Sequence, residues 1–390
     1  MKIKLIIIFL LLFTVSSFAQ TAYDTFYVFE DTSAVVDGGD DDGNVCTNNG
    51  GSYRCFENYY TAVHEAIDAT FDGDSAITVL LDGEWDNPTS ASTISRSSAE
   101  MQADNWIKIK TINEAFHGGD PYCEKCFRVV AGFDSYLHQV WESSIWFDGI
   151  VFRNTKDGEL LQYISGNAGD SNRFEIENCI FMYADSVKGT DSTGQMITAN
   201  LNSRYISIYN CIFIGFRSSG YWTSAVSIGM DSMYLFNNTF YDCESDGASN
   251  WRIVHLSASD TDSAWVYNNL FMNCKGGEFF GRVSGAVYSQ NSDYNMTDST
   301  DFGTDYTENT NDEVSKSCTF LSASNDSLML ISGDDAIDEG VNCSGFNGGP
   351  IYNYDITRTE KVGTWDAGAY EYSSEEEETN YKRRRDIVRD

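Results

Sequence analysis

Ile176-Glu-Asn-Cys-Ile-Phe181 decides the fold, because the same phrase returns along the chain. It recurs as Ile208-Tyr-Asn-Cys-Ile-Phe213, Leu235-Phe-Asn-Asn-Thr-Phe240 and Val266-Tyr-Asn-Asn-Leu-Phe271. A degenerate copy with Gly in place of Asn runs Phe147-Asp-Gly-Ile-Val-Phe152. The closing Phe residues 152, 181, 213, 240 and 271 stand 29, 32, 27 and 31 residues apart. A loose period in that range is the mark of stacked repeats. Each copy is short and rich in β-branched and aromatic residues, so it reads as strand, turn, strand rather than as a helix pair.

Aligning the copies on their Phe gives each column a role. Seven and five residues earlier stand Ile145 and Phe147, Phe174 and Ile176, Ile206 and Ile208, Met233 and Leu235, Ala264 and Val266. All are apolar and spaced by two, as inward positions of a strand must be. Three residues before Phe stand Gly149, Asn178, Asn210, Asn237 and Asn268. Gly and Asn tolerate left-handed backbone, which makes this the turn, and stacked Asn side chains can bond from rung to rung. These features predict an all-β fold, a single-domain right-handed parallel β-helix with a short N-terminal capping helix.

Residues outside the repeat divide the rest. Residues 1–19 read as a signal peptide, with Lys2 and Lys4, an apolar run Leu5 to Val15, and a small-x-small site at Ser17-Phe18-Ala19. The apolar run is too short to span a membrane, and no later stretch is long enough. Residues 20–59 read as irregular. Tyr60, Val63, Ile67 and Phe71 recur at helical spacing, the expected cap on the open first end of the solenoid. Residues 60–300 form the β-helix, 301–372 its last rungs and cap, and 373–390 a charged tail with almost no core-forming residues.

Net charge excludes one class of partner. The formal value is −34 and becomes about −36 once Lys2 and Lys4 leave with the signal. Nucleic-acid binding rests on Lys and Arg neutralising phosphates, so it is excluded. Polyanionic glycans are disfavoured too, unless bound Ca²⁺ reverses the local sign. Asp37, Asp40 and Asp42 in an acidic run are the candidate Ca²⁺ ligands, although the run lacks EF-hand spacing and reads more readily as a solvated turn.

Export makes the ten cysteines disulfide candidates. Cys179 and Cys211 share one column on neighbouring rungs, and Cys243 and Cys274 share another. Adjacent strands lie about 4.8 Å apart, within disulfide range. Cys46 with Cys55, Cys123 with Cys126 and Cys318 with Cys343 would be the local pairs. Stacked buried thiols are the alternative for the two ladder pairs.

Two outward features are candidates for function. Four residues after Phe come Lys156, Asp185, Arg217, Glu244 and Lys275, alternating in sign as a ladder of surface ion pairs would. Between the inward residues stand Trp146 and Asp148, Glu175 and Glu177, Ser207 and Tyr209, Tyr234 and Phe236, Trp265 and Tyr267. Tyr209, Tyr234, Phe236, Trp265 and Tyr267 thus make an aromatic stripe suited to the faces of sugar rings. The alternative is that loops or the N-terminal segment cover the stripe as a satellite core. Basic residues suited to lyase chemistry are scarce. Arg217, Arg252, His255 and Arg282 are the candidates, and Arg252 and His255 fall on opposite faces of one strand.

The rungs, the Asn turn column and Ile77-Thr-Val-Leu-Leu-Asp-Gly83 resemble right-handed parallel β-helix proteins of the pectin-lyase-like superfamily. The closing segments Asp335-Ala-Ile-Asp-Glu-Gly340, Asp355 to Arg358 and Trp365-Asp-Ala-Gly-Ala-Tyr-Glu-Tyr372 are similar to the end of bacterial secreted choice-of-anchor proteins. The resemblance implies a secreted or cell-surface protein, with the periplasm as the other location, and a polysaccharide partner. Activities in the superfamily include lyases, hydrolases and inactive binders. The Gly-His-Gly and Arg-Ile-Lys motifs of its polygalacturonase-like hydrolases are absent. The expectation is a polysaccharide-binding surface protein. A lyase, or less readily a hydrolase, is the catalytic alternative, and a structural matrix component the third.

Overall fold

A computed structural model of the chain describes the strands 24–29, 44–48, 51–56, 76–82, 92–94 and 106–111, the pair 62–63, and most of 116–372 apart from connecting stretches. The described region is all-β, built from three stacked parallel sheets of eleven, seven and seven strands, with one two-stranded ribbon. It is a parallel β-helix.

One coil shows the plan. Arg173–Glu177 lies in the first sheet, Ile180–Tyr183 in the second and Ile197–Asn200 in the third. The next coil repeats it with Tyr205–Tyr209, Ile212–Ile214 and Val226–Ile228, pairing Ile176 with Ile208 and Phe181 with Phe213. Between first and second sheets the chain turns through Asn178, Asn210, Asn237 and Asn268, with φ of 49°, 54°, 53° and 58°. Left-handed backbone is costly for most residues and tolerable for Asn, so one residue type recurs there. Tyr294 takes the same φ of 60° between Ser292–Asp293 and Met296–Thr297, a further rung whose phrase had drifted beyond recognition.

All ten inward residues are fully buried. The Phe column stacks face to face: centroids of Phe152, Phe181, Phe213, Phe240 and Phe271 are 4.6–5.1 Å apart and their planes within 9°. Beside it runs a buried asparagine ladder. Asn238 Nδ2 donates to Asn269 Oδ1 (3.0 Å) and Asn269 Nδ2 to Asn295 Oδ1 (2.9 Å). The same amides donate to the carbonyls of Ile208 and Leu235. Cys179 and Cys211 occupy this column on the earlier rungs.

Cys179, Cys211, Cys243, Cys274, Cys318 and Cys343 are unbridged thiols. In each ladder pair the two thiols interact while Sγ donates to strand carbonyls, as Cys211 does to Tyr209 (3.3 Å). Cys318 and Cys343 pack in different apolar clusters and do not form the expected local pair. The side chains of Cys46, Cys55, Cys123 and Cys126 lie outside the described residues.

The two ends differ from expectation. Segment 20–59 contributes three strands, with Asp24–Phe29 extending the first sheet beside Ala76–Asp82 and the antiparallel hairpin Asn44–Asn48 and Gly51–Phe56 beyond it. The reason is the alternation Phe26, Val28 against Val79, Leu81, which a strand can use and a coil cannot. Of the expected capping helix only Ala62 and Val63 are described, both buried in the core. The signal peptide, Asp37, Asp40, Asp42, Lys156, Asp185 and the tail 373–390 lie outside the described residues. Among the described residues no helix is long and apolar enough to cross a membrane.

Phe302 and Tyr306 pack into the main core at the last rungs, whereas the C-terminal block from Cys318 onward is not an end cap. It lies along the side of the coil, because the second sheet is apolar on its outer face as well. Val151, Ile180, Met182, Ile212, Ile214, Leu270 and Met272 are buried there against Leu328, Leu330, Ala336, Ile356, Ala367 and Ala369. The first sheet's aromatic stripe is covered by Cys343, Tyr352 and Trp365 of the same block. The corner between these covers is sealed by the turn asparagines. Asn210 Nδ2 donates to Tyr354 O (2.6 Å), Asn268 Nδ2 to Val341 O (2.6 Å), and Tyr352 Oη to Asn237 Oδ1 (3.1 Å).

Candidate functional site

Register on the first sheet aligns Asp148, Glu177 and Tyr209 in one outward column on successive rungs, with Trp146 and Glu175 in the neighbouring column. The C-terminal cover stops here, and a pocket of about 490 Å³ opens beside its edge. Its walls include Trp146, Glu177, Asn178, Tyr354 and Arg358. Tyr354 is 52% exposed and Trp146 partly so, giving the mouth two aromatic faces.

Two carboxyl groups share one donor. Asn178 Nδ2 donates to Asp148 Oδ1 (2.9 Å) and to Glu177 Oε1 (3.1 Å). Tyr209 Oη donates to the other Glu177 oxygen. Arg358 Nη2 pairs with Asp148 Oδ2 at 3.0 Å, and its guanidinium lies 3.9 Å from the centre of the Phe116 ring. Burial, with the Asp148 carboxyl beside it, pushes the Glu177 pKa from 4.5 up to about 8. Burial therefore favours the protonated form of Glu177. Burial and the nearby acids also push the Tyr209 phenol well above its usual value.

The column is held from behind. His117 is buried, its Nδ1 accepting from Gly119 N (2.8 Å), so its Nε2 carries the hydrogen and donates to Asn178 O (2.6 Å). Burial lowers its pKa to about 3, which keeps the ring neutral. Thr111 Oγ1 donates to Gly149 O (3.0 Å) and Thr111 O accepts from Arg358 (3.3 Å). Gly149 replaces Asn here for a steric reason. At its φ of 80° a Cβ would come within 2.3 Å of Thr111 Oγ1 and 3.0 Å of Arg358 Nη2. On the open side Lys108 Nζ sits 4.4 Å over Trp146, and burial lowers its pKa.

The residues singled out from sequence fall elsewhere. Tyr209 and Phe236 are 2% and 0% exposed, and Tyr234 is buried, so these three cannot present faces to a glycan. Trp265 and Tyr267 are partly buried in the same cluster. The cover is the C-terminal block rather than the loops or N-terminal segment expected to supply it. Arg217 is engaged by Asp242 (2.8 Å) and Glu244 (3.3 Å) on the two-stranded ribbon, and the Glu244 backbone pairs with that of Lys275. Arg217–Glu244 is thus one ion pair of the expected charge ladder, serving as structure. Arg252 pairs with Glu278 (3.3 Å), His255 is buried, and Arg282 lies on the neighbouring strand opposite Leu256. All three belong to the third sheet, away from the acidic column. Among the described residues no group of three or more His, Cys, Asp and Glu is placed to hold a metal ion.

Sequence reading noted Trp146, Asp148, Glu175 and Glu177 as outward but not as a site. His117, Thr111 and Arg358 were missed as site residues, since nothing in the repeat links them to this column. No family model, curated protein or solved structure matches the chain.

Proposed function

We propose that the protein binds polysaccharide, and that the pocket lined by Trp146, Glu177, Tyr354 and Arg358 is where it does so. The observation that carries this is a groove-edge pocket lined by Trp146 and Tyr354, with the Glu177 carboxyl on its wall and Asp148 tied behind it through Asn178. Aromatic faces suit the apolar faces of sugar rings, and fixed carboxyl and amide groups suit their hydroxyls. The acidic wall and the net charge of −34 favour a neutral glycan over a polyuronide. Export to the cell surface, and kinship with pectin-lyase-like and choice-of-anchor proteins, belong to the same reading. They rest on the signal-like start and on the closing motifs, Arg358 among them.

Affinity electrophoresis through gels containing neutral or acidic polysaccharides tests it. Retardation by at least one neutral polymer is expected, with the Trp146→Ala and Tyr354→Ala variants migrating freely. Equal mobility of wild type in every gel would remove the reading.

One observation favours a second reading, hydrolysis. Burial favours the protonated form of Glu177 while Asp148, on the same amide nitrogen, is ion-paired to Arg358. An acid and a carboxylate within a few ångströms are what glycosidic cleavage requires. A lyase would need a base and a cation free to meet a uronate, whereas Arg358 is engaged and Lys108 is stacked on Trp146. Release of reducing ends by wild type, lost in both Glu177→Gln and Asp148→Asn, would support hydrolysis. Binding without release would leave a lectin-like role.

A further inference from the structure

The C-terminal block holds a second cluster of ionisable groups, remote from the pocket in role and built around a lysine. The Lys361 side chain is 0% exposed, and its Nζ makes no hydrogen bond. The nearest carboxyl is Glu371, with Oε2 at 3.8 Å, and the Trp365 ring centre is 5.2 Å away. Asp355, Asp366 and Cys343 complete the charged and titratable surroundings. A buried ammonium without hydrogen bonds is costly, and the carboxyls of Glu371, Asp355 and Asp366 offset that cost only through space.

Glu371 is held as a reaction partner would be. Its Oε2 accepts from Asp366 N (3.2 Å), and its own N donates to Asp355 Oδ2 (3.1 Å). Asp366 is fixed by Asp338 N (2.7 Å) and Tyr372 N, and Asp355 by Thr357 and Thr359. The donor, the acceptor and the nearby carboxyls are therefore rigid and shielded from water.

We propose that Lys361 and Glu371 condense to an intramolecular amide. Nζ, as the free amine, attacks the carboxyl carbon of Glu371 and an N–C bond forms. The Asp366 N–H already bonded to Oε2 stabilises the oxygen that gains charge. The C–O bond to the hydroxyl then breaks. The amine gives up one hydrogen, relayed through the carboxyl of Asp355 or Asp366, and it leaves with the hydroxyl as water. No oxidant or cofactor is involved. Burial lowers the lysine pKa and raises that of Glu371 to about 7, moving each toward the form the reaction uses. The bond would lock the turn that carries Arg358 to the segment 366–372, whose Ala367, Ala369 and Tyr370 pack against the coil.

Tryptic mapping of the folded, full-length protein tests this directly. Unmodified chain is cut after Lys361, giving Val362–Lys382 with its full sequence mass. The amide blocks that cut. The expected result is a Thr359–Lys382 peptide one water lighter than its sequence, with fragment ions placing the link at Glu371, and loss of the Val362–Lys382 peptide. The Lys361→Met and Glu371→Ala variants should both show full mass. Complete cleavage after Lys361 in folded wild type overturns the proposal, and so does a link mapped to Asp355 or Asp366. Because wild type gives the deciding result, poorly folding variants leave the test intact.

Discussion

At the scale of single residues, Glu177 and Gly149 show what the site asks of the fold. Glu177 binds a proton in the folded state up to about pH 8 but is ionised above about 4.5 when unfolded. Between those values the folded state holds more protons, so this group makes stability fall as pH rises. His117 has the opposite sign. Its folded value of about 3 lies below its ordinary 6.5, so the stability it contributes is lost as pH falls from 6.5 toward 3. Only Glu177 of the two acts between 6.5 and 8. Urea midpoints of Glu177→Gln minus wild type should therefore grow more favourable across that interval, and a flat difference would mean that Glu177 is not protonated there. Gly149→Ala should cost at least about 1–2 kcal/mol for its left-handed backbone alone, with more from the contact on Thr111. Chemical denaturation measures it.

At the scale of the element, the buried asparagine ladder and the two thiol pairs do the same work by different means. Each ladder amide ties its rung to the next and also satisfies a strand carbonyl. Asn269→Ala strands Leu235 O and removes the acceptor for Asn238, a loss of about 1–3 kcal/mol per unsatisfied buried group. Cys211→Ala removes only weak donors and a small apolar volume, so it should cost less. A ranking with Cys211→Ala the more damaging would contradict the assignment of these columns. The phrase carries both in one frame, as Asn-Cys on two rungs and Asn-Asn on the next two, and the first Asn makes the turn while the second residue points inward; from sequence, rung-to-rung bonds were expected of the turn Asn alone. Of the charge ladder, Arg217 and Glu244 form the expected ion pair, and Lys275 follows on the next rung through backbone pairing.

At the scale of the whole molecule, the C-terminal block acts as a lateral clamp on two sheets at once. Removing residues 318–390 would bare both the outer face of the second sheet and the aromatic stripe. The truncated protein should bind a hydrophobic dye strongly and self-associate, whereas the intact protein should do neither. If both behave alike in dye binding and light scattering, the clamp is dispensable. The truncation also deletes Arg358 and Tyr354, so glycan retention by the pocket should disappear with it.

The phrase Ile176 to Phe181 and its copies determined the coil, because alternation and a left-handed turn are local demands that one strand and one corner must meet. Inward aliphatics, stacked Phe and turning Asn all follow from that. Function did not follow, because the outward stripe could be judged exposed or covered only by knowing where residues more than a hundred positions away come to rest. Tyr352 and Trp365 bury the stripe. Arg358 reaches Asp148 across 210 positions and Tyr370 reaches Gly119 across 251. Such contacts leave no period in the sequence. The tertiary structure therefore turned the aromatic stripe into core and moved the candidate site one rung toward the N-terminus, to the edge where the cover ends.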